Sequence, residues 1–334
     1  MPRLRTVSPT MRGWTRRRRG RGFTYVDADG RRLDAAGAER CRALVIPPAW
    51  TAVWICPVGN GHLQAVGVDD AGRRQYLYHP AWRERQDRQK YDLMIGFAGR
   101  LPAARRRVAR DLRRDDMSLD RALATAFRLL DLGAFRIGSD RYADENGGYG
   151  LLTLEQRHLR ASGGALFFEY VAKSGQERSL QINDPRVRDS LEVMRRRRGS
   201  PEQRLLAYKE TTDWHDLVPE QVNAYIKERT GENSSAKDFR TWHANVVAAA
   251  ALAQEDGPTK AARKRAVASA MNEVADVLGN TPAVARSGYV DPRLVDLFED
   301  GATVDRALAH RRMPQTGRPL SPSLEQAVLA LLRP

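Results

Sequence analysis

Residues 51–79 read TAVWICPVGNGHLQAVGVDDAGRRQYLYH. They hold three β-like runs, Thr51 to Cys56, His62 to Val68 and Arg73 to His79, rich in β-branched and aromatic residues. Asn60-Gly61 and Asp69-Asp70-Ala71-Gly72 separate the runs, and both are turn signals because Gly supplies positive φ and Asn or Asp tolerates it. Upstream, Gly22 to Val26 alternates and meets the turn Asp27-Ala28-Asp29-Gly30, and a short helix over Asp34 to Ala43 stops before Pro47-Pro48. From Pro80 onward the apolar spacing changes to 3.6 and predicts helices over 81–99, 103–114, 118–131, 184–197, 218–229, 235–254, 260–278, 291–299 and 321–333. One β island interrupts them, with Leu151 to Leu154, Leu166 to Ala172 and Ser179 to Ile182 as strands and Lys173-Ser174-Gly175-Gln176 as a hairpin turn. The expectation is an α+β chain. A small, mainly β domain covers 1–90, and a larger, mainly helical domain with a short sheet covers 91–334.

A chain of 334 residues with 42% hydrophobic and 29% charged residues can build a real core. Its net charge of +15 argues for a polyanion partner. Residues 1–32 carry ten arginines against two acids, over half of that surplus, and read as a basic arm that grips phosphates. A second run, Arg195 to Arg198, is expected on a helix as a solvated face or a DNA contact. The longest small-apolar run, Val246 to Ala253, is far too short to cross a bilayer, and the N-terminus lacks the apolar stretch of a signal peptide. Cys41 and Cys56 form no CxxC, which disfavours a disulfide framework or a zinc site, so a reducing, cytoplasmic interior is expected.

The chain has no GxxxxGK[ST] loop, so ATP-driven chemistry is unsupported. Its six histidines are scattered without paired-ligand spacing. Asp140, Asp144 and Glu145 could hold magnesium, although solvated loop acids are the commoner outcome. A metal-free enzyme acting on a phosphodiester needs a nucleophile, cations for the charge gathered on phosphorus, and an acid for the leaving oxygen. Four segments offer such parts. Arg136 lies in Gly133-Ala134-Phe135-Arg136-Ile137-Gly138, beside a Gly that admits close approach of a ligand. Lys173 sits on the predicted hairpin, where its stem could carry a proton into a cleft. Arg240 falls in the first turns of the 235–254 helix, where the dipole favours an anion. Gly279 ends one helix and Thr281-Pro282 starts the next, leaving the Asn280 amide in the gap and Tyr289 nine residues on. Taken singly, each has an ordinary reading: surface arginine, surface lysine, capping asparagine, half-buried tyrosine.

Taken in order, Arg136, Lys173, Arg240, Asn280 and Tyr289 resemble the type IB DNA topoisomerases, in their compact poxvirus and bacterial branch and most of all the bacterial, Deinococcus-type enzyme. Ile46-Pro47-Pro48-Ala49-Trp50, Val53-Trp54-Ile55-Cys56-Pro57, Gly61-His62-Leu63-Gln64-Ala65 and Gly72 to His79 resemble that family's N-terminal β domain, and the similarity covers roughly residues 22–300. The resemblance implies that Tyr289 attacks the scissile phosphate to form a 3′-phosphotyrosyl link. Arg136 and Arg240 would hold the non-bridging oxygens, and Lys173 would protonate the leaving 5′-oxygen. The free strand would swivel and be resealed, with neither cofactor nor metal. It also implies that Gln75, Tyr76 and Tyr78 face the DNA from the β domain and Tyr142 from the helical one, in a C-clamp around double-stranded DNA, the enzyme acting as a monomer with the nucleoid. One departure is Asn280, where most of the family has His; Asn donates an N–H but never carries charge.

Two other readings compete. A tyrosine recombinase shares the Arg–Lys–Arg–Tyr chemistry, but a β-rich N-terminal domain and Lys237-Asp238-Phe239-Arg240-Thr241-Trp242-His243 in place of His-x-x-Arg favour the topoisomerase. A non-catalytic basic DNA-binding protein would bind with the same salt dependence and form no covalent adduct. Residues 300–334 carry no functional reading.

Overall fold

The computed structural model describes residues 3–139, 147–197 and 199–333. It separates into two units, Met1–Lys90 and Tyr91–Pro334. The first is built on a five-stranded antiparallel sheet in the order β2-β1-β3-β4-β5, with β1 at Trp14–Arg19, β2 at Gly22–Val26, β3 at Thr51–Ile55, β4 at Leu63–Val68 and β5 at Arg74–Tyr78. Helix α1, Ala35–Ala43, is capped by the Asp34 carboxylate, which accepts from Gly37 N. Val53, Ile55 and Ala65 pack with Tyr25, Cys41 and Ile46 in one core, and Cys56, Leu63 and Val66 pack with Val7 in another.

Part of the arginine-rich stretch read as a basic arm is a strand of this sheet. Trp14–Arg19 is a strand, paired from Thr15 to Arg19 with β2 and at Trp14 and Thr15 with β3. Arg16 explains how so basic a segment enters a sheet. Its guanidinium lies 4.0 Å from the Phe23 ring centroid and donates to the carbonyls of Ile46, Pro47 and Trp50 at 2.9, 2.8 and 2.7 Å. Arg17, Arg18 and Arg19 remain exposed.

Helix α2 runs unbroken from Pro80 to Asp111, through Pro102, where two helices were expected. Buried residues at 91, 94, 97, 98, 101, 104 and 108 keep one apolar stripe across the proline. Each large side chain on that stripe is worth about 1.5–3 kcal/mol, which together outweighs a proline penalty of about 3 kcal/mol. Helix α3, Leu119–Gly133, ends at Ala134 in the left-handed region, φ 47°. The β island is a three-stranded sheet of β6 (Leu159–Ser162), β7 (Ala165–Ala172) and β8 (Gln176–Ile182). The strand expected at Leu151 to Leu154 is instead a 3₁₀ turn over Leu151–Thr153, closed by Thr153 Oγ1 accepting from Gly150 N at 2.8 Å. A hairpin of β9 (Ala207–Glu210) and β10 (Asp213–Asp216) was not anticipated.

The remaining helices are α4 (Pro185–Arg195), α5 (Pro219–Thr230), α6 (Ala236–Gln254), α7 (Lys260–Leu278), α8 (Pro282–Gly288), α9 (Pro292–Glu299), α10 (Arg306–Arg311) and α11 (Pro322–Leu332). The axis of this unit is α6, buried almost throughout because Ala248 to Ala251 let α3, α5, α7, α9, α10 and α11 approach it closely. Of the Arg195 to Arg198 run, Arg195 ends α4. Arg197 is buried, donating to Asp216 at 3.2 Å beside Trp214 rather than lining a solvated face, and Arg198 lies outside the described residues. Residues 300–334 complete the core. Gly317 N donates to Leu132 O at 2.9 Å, and Glu325 accepts from Arg105 and from Trp242 Nε1. Among the described residues no helix is long and apolar enough to cross a membrane.

Candidate active site

Four of the five residues singled out for chemistry meet at the C-terminal end of α7. Gly279, φ 59°, caps that helix in the left-handed region where a side chain is disfavoured, and Thr281 caps α8 by accepting from Val284 N. The two caps hold Asn280 between the helices. Arg136, two residues past the left-handed Ala134, donates through Nη2 to Gly279 O at 3.0 Å and to Asn280 Oδ1. Arg240 reaches the same place from the second turn of α6. It donates to Leu278 O at 3.0 Å and to Ala134 O, and its Nε points at Tyr289 Oη, 3.4 Å away. The Tyr289 ring lies beneath the Arg240 guanidinium, 5.1 Å from ring centroid to Cζ. A helix C-terminus presents unpaired carbonyls and negative dipole, so it gathers cations that would otherwise repel one another.

Burial is what gives this cluster its chemistry. Arg240 is only 3% exposed, and burial pushes its pKa down to about 10 against the raising influence of Tyr289. For Tyr289 burial acts upward, but Arg240, Arg136 and Lys237 together outweigh it and hold the phenol below its ordinary value. An oxyanion at Tyr289 is therefore favoured, and so is an anion bound between the two arginines. By accepting from Arg136, the Asn280 amide leaves Nδ2 buried with no hydrogen-bond partner among the described residues. A buried donor of that kind suits an incoming acceptor oxygen.

Lys173 is exposed at the tip of the β7–β8 hairpin, with Ser174 and Gly175 at positive φ after it. Segment 148–152 joins that hairpin to the Arg136 segment. Tyr149 N donates to Val171 O at 2.8 Å, while Leu151 N and Leu152 N donate to Arg136 O and Ile137 O, each at 2.8 Å. In the first unit, Tyr76 and Tyr78 share a face of β5, stacked with centroids 6.2 Å apart, and Arg74 sits over Tyr76. Gln75 points to the opposite face, where Asp69 accepts from its Nε2 at 2.9 Å. Tyr142, Asp140, Asp144 and Glu145 lie outside the described residues. Among the described residues no group of three His, Cys, Asp or Glu side chains could hold a metal ion.

Three further residues at the site, Asn245, Tyr91 and Lys237, were not singled out from the sequence. Asn245, fully buried on α6, brackets the backbone of Tyr289: Nδ2 donates to Tyr289 O at 2.9 Å and Oδ1 accepts from Asp291 N at 2.8 Å. Tyr91 Oη donates to the intervening Val290 O at 2.6 Å. An amide opening the apolar run Val246 to Ala253 was the available signal. Lys237, one turn before Arg240, adds charge that lowers the Tyr289 pKa.

A family model described as eukaryotic DNA topoisomerase I, catalytic core, matches residues 79–299, well over half of the chain. Another, described as bacterial DNA topoisomerase IB, N-terminal domain, matches residues 22–69. DNA topoisomerase 1B of Acanthamoeba polyphaga mimivirus is 28% identical over 87% of this chain and 88% of the relative. DNA topoisomerase 1B of vaccinia virus (strain Copenhagen) is 20% identical over 72% of this chain and 74% of its own length. The tyrosine at the end of a helix-held arginine cluster thus belongs to an isomerase that acts on DNA, and the chain is a member of the type IB DNA topoisomerase family.

Proposed function

We propose that this enzyme relaxes supercoiled double-stranded DNA as a monomer, by transient cleavage of one strand. Tyr289 Oη attacks the scissile phosphorus and displaces the 5′-oxygen. One P–O bond forms as another breaks, leaving a 3′-phosphotyrosyl ester. Arg136 and Arg240 pair with the non-bridging oxygens, whose negative charge rises at the transition state, and Asn280 Nδ2 donates one neutral hydrogen bond to the same group. Lys173 gives its proton to the leaving 5′-oxygen and takes it back when the 5′-hydroxyl attacks the phosphotyrosine. Strand swivelling between the two steps releases supercoils. Exchanging one phosphodiester for another conserves the bond energy, so the cycle needs neither ATP nor a metal ion. Residues 1–90 supply DNA contacts outside the chemistry.

The observation that carries this reading is the 3.4 Å contact between Arg240 Nε and Tyr289 Oη inside a buried cationic cluster. The test is relaxation of a supercoiled plasmid in EDTA without nucleotide, by the wild type and by Tyr289→Phe. The wild type should relax it fully. The Phe variant, lacking one oxygen, should bind DNA with unchanged affinity and relax none. Relaxation by the variant at equal enzyme concentration would remove Tyr289 from the nucleophile role, and strict magnesium dependence of the wild type would bring in a metal.

A further inference from the structure

Arg178 is a third guanidinium at the end of α7, and the mechanism above does not use it. It is the third residue of β8, paired across the hairpin with Tyr170, two register steps from the Ala172–Gln176 pair that flanks the Lys173 turn. Its Nη1 donates to Asp276 O at 3.2 Å and its Nη2 to Val277 O at 3.0 Å, the two carbonyls immediately before those of Leu278 and Gly279 that receive Arg240 and Arg136. It faces Tyr170 across the hairpin, and the Tyr170 ring stacks on Phe135, the residue before Arg136, with centroids 6.1 Å apart. Gly279 leaves room for this approach. A Cβ there would stand 2.7 Å from Arg178 Cδ and 2.8 Å from Nη1. One side chain thus spans the strand that leads from Lys173 and the helix end that carries Asn280 and leads to Tyr289.

We infer that Arg178 is a positioning residue, tying the Lys173 hairpin to the end of α7 so that the proton donor and the nucleophile keep a fixed separation. The inference rests on the reading of Lys173 as the acid. Arg178 itself need not touch the phosphate, because its two terminal nitrogens already donate to carbonyls. Loosening it should let the hairpin tip drift while leaving Arg136, Arg240 and Tyr289 together. Misplacing a catalytic group by about 1 Å can cost on the order of 100-fold in rate.

The test is single-turnover cleavage by Arg178→Ala, Lys173→Ala and the double variant. Each is assayed on a normal 5′-oxygen substrate and on one with sulfur at the bridging 5′ position, a leaving group that needs no acid. On the oxygen substrate Arg178→Ala should be slower by roughly 10- to 100-fold. On the sulfur substrate it should return to within about threefold of wild type, and the double variant should be no slower than Lys173→Ala alone on the oxygen substrate. A mere structural prop or a direct phosphate contact would slow both substrates equally, and that result overturns the proposal, as does an unchanged rate on oxygen. Arg178→Lys, which keeps charge and a donor at the same carbonyls, serves where alanine impairs folding. Its smaller loss should likewise vanish on sulfur, and a loss equal on both substrates counts against the proposal. If sulfur fails to rescue Lys173→Ala itself, the acid assignment falls and the inference with it. If sulfur rescues Lys173→Ala but not Arg178→Ala, only the inference falls.

Discussion

Arg240 spends two of its guanidinium nitrogens on backbone carbonyls and turns the third toward a phenol. That division has a consequence for pH. In the proposed mechanism the phenolate is the nucleophile, and the nearby cations hold the Tyr289 pKa below its ordinary value of about 10. Cleavage rate should therefore rise with pH and reach its plateau below that value. Removing the largest cationic contribution in Arg240→Gln should move the rise to higher pH and slow cleavage at neutral pH by roughly 10²–10³. An unmoved pH–rate profile would show that Arg240 does not act on Tyr289. At this scale much of the site was legible. Gly279 and Thr281-Pro282 are cap residues that announce a gap between two helices, so Asn280 could be placed from the sequence alone. The side of β5 that Gln75 takes was legible too. A strand alternates, so the residue between Arg74 and Tyr76 cannot share their side. The contacts of Asn245 with Tyr289 and Asp291, and of Arg178 with the end of α7, were not legible, because those partners lie 44 or more residues away.

Helices with a clean 3.6 spacing were read nearly to their ends, as α6 and α7 show. Errors fell where a local rule met a tertiary reward. Pro102 failed to break α2, and an arginine run became a strand because Phe23 and three carbonyls receive Arg16. The C-terminal helix α11, silent in the sequence, acquires a role from one side chain. Glu325, 6% exposed, accepts from Arg105 at 2.6 and 3.0 Å and from Trp242 Nε1 at 2.7 Å, while Asp131 shares Arg105. Removing it leaves a buried cation half-paired and an indole N–H without its acceptor. Glu325→Ala should then lower unfolding free energy by about 3 kcal/mol, read as a fall in the urea midpoint at unchanged slope. A change below about 0.5 kcal/mol would mean that the network adds nothing beyond surface pairing.

For the whole molecule, the charge of +15 sets how binding depends on salt. Each phosphate neutralised contributes about −0.9 to the slope of log affinity against log salt. Arg17, Arg18 and Arg19 are exposed on β1, so replacing all three with Ala should shrink that slope by about 1 to 3 and weaken binding. Saturated single-turnover cleavage by the same variant should stay at the wild-type rate. An unchanged slope would mean that this strand does not meet DNA. A non-catalytic basic protein would bind with the same salt dependence, and what separates the proposed mechanism from such binding is a covalent bond. The most direct measurement is therefore denaturation with SDS of the protein mixed with radiolabelled duplex DNA, followed by peptide mapping of any label that travels with the polypeptide. The label should be covalently attached, on the peptide containing Tyr289, and absent from Tyr289→Phe. Label on another residue, or none with the wild type under conditions where it relaxes plasmid, would contradict the account.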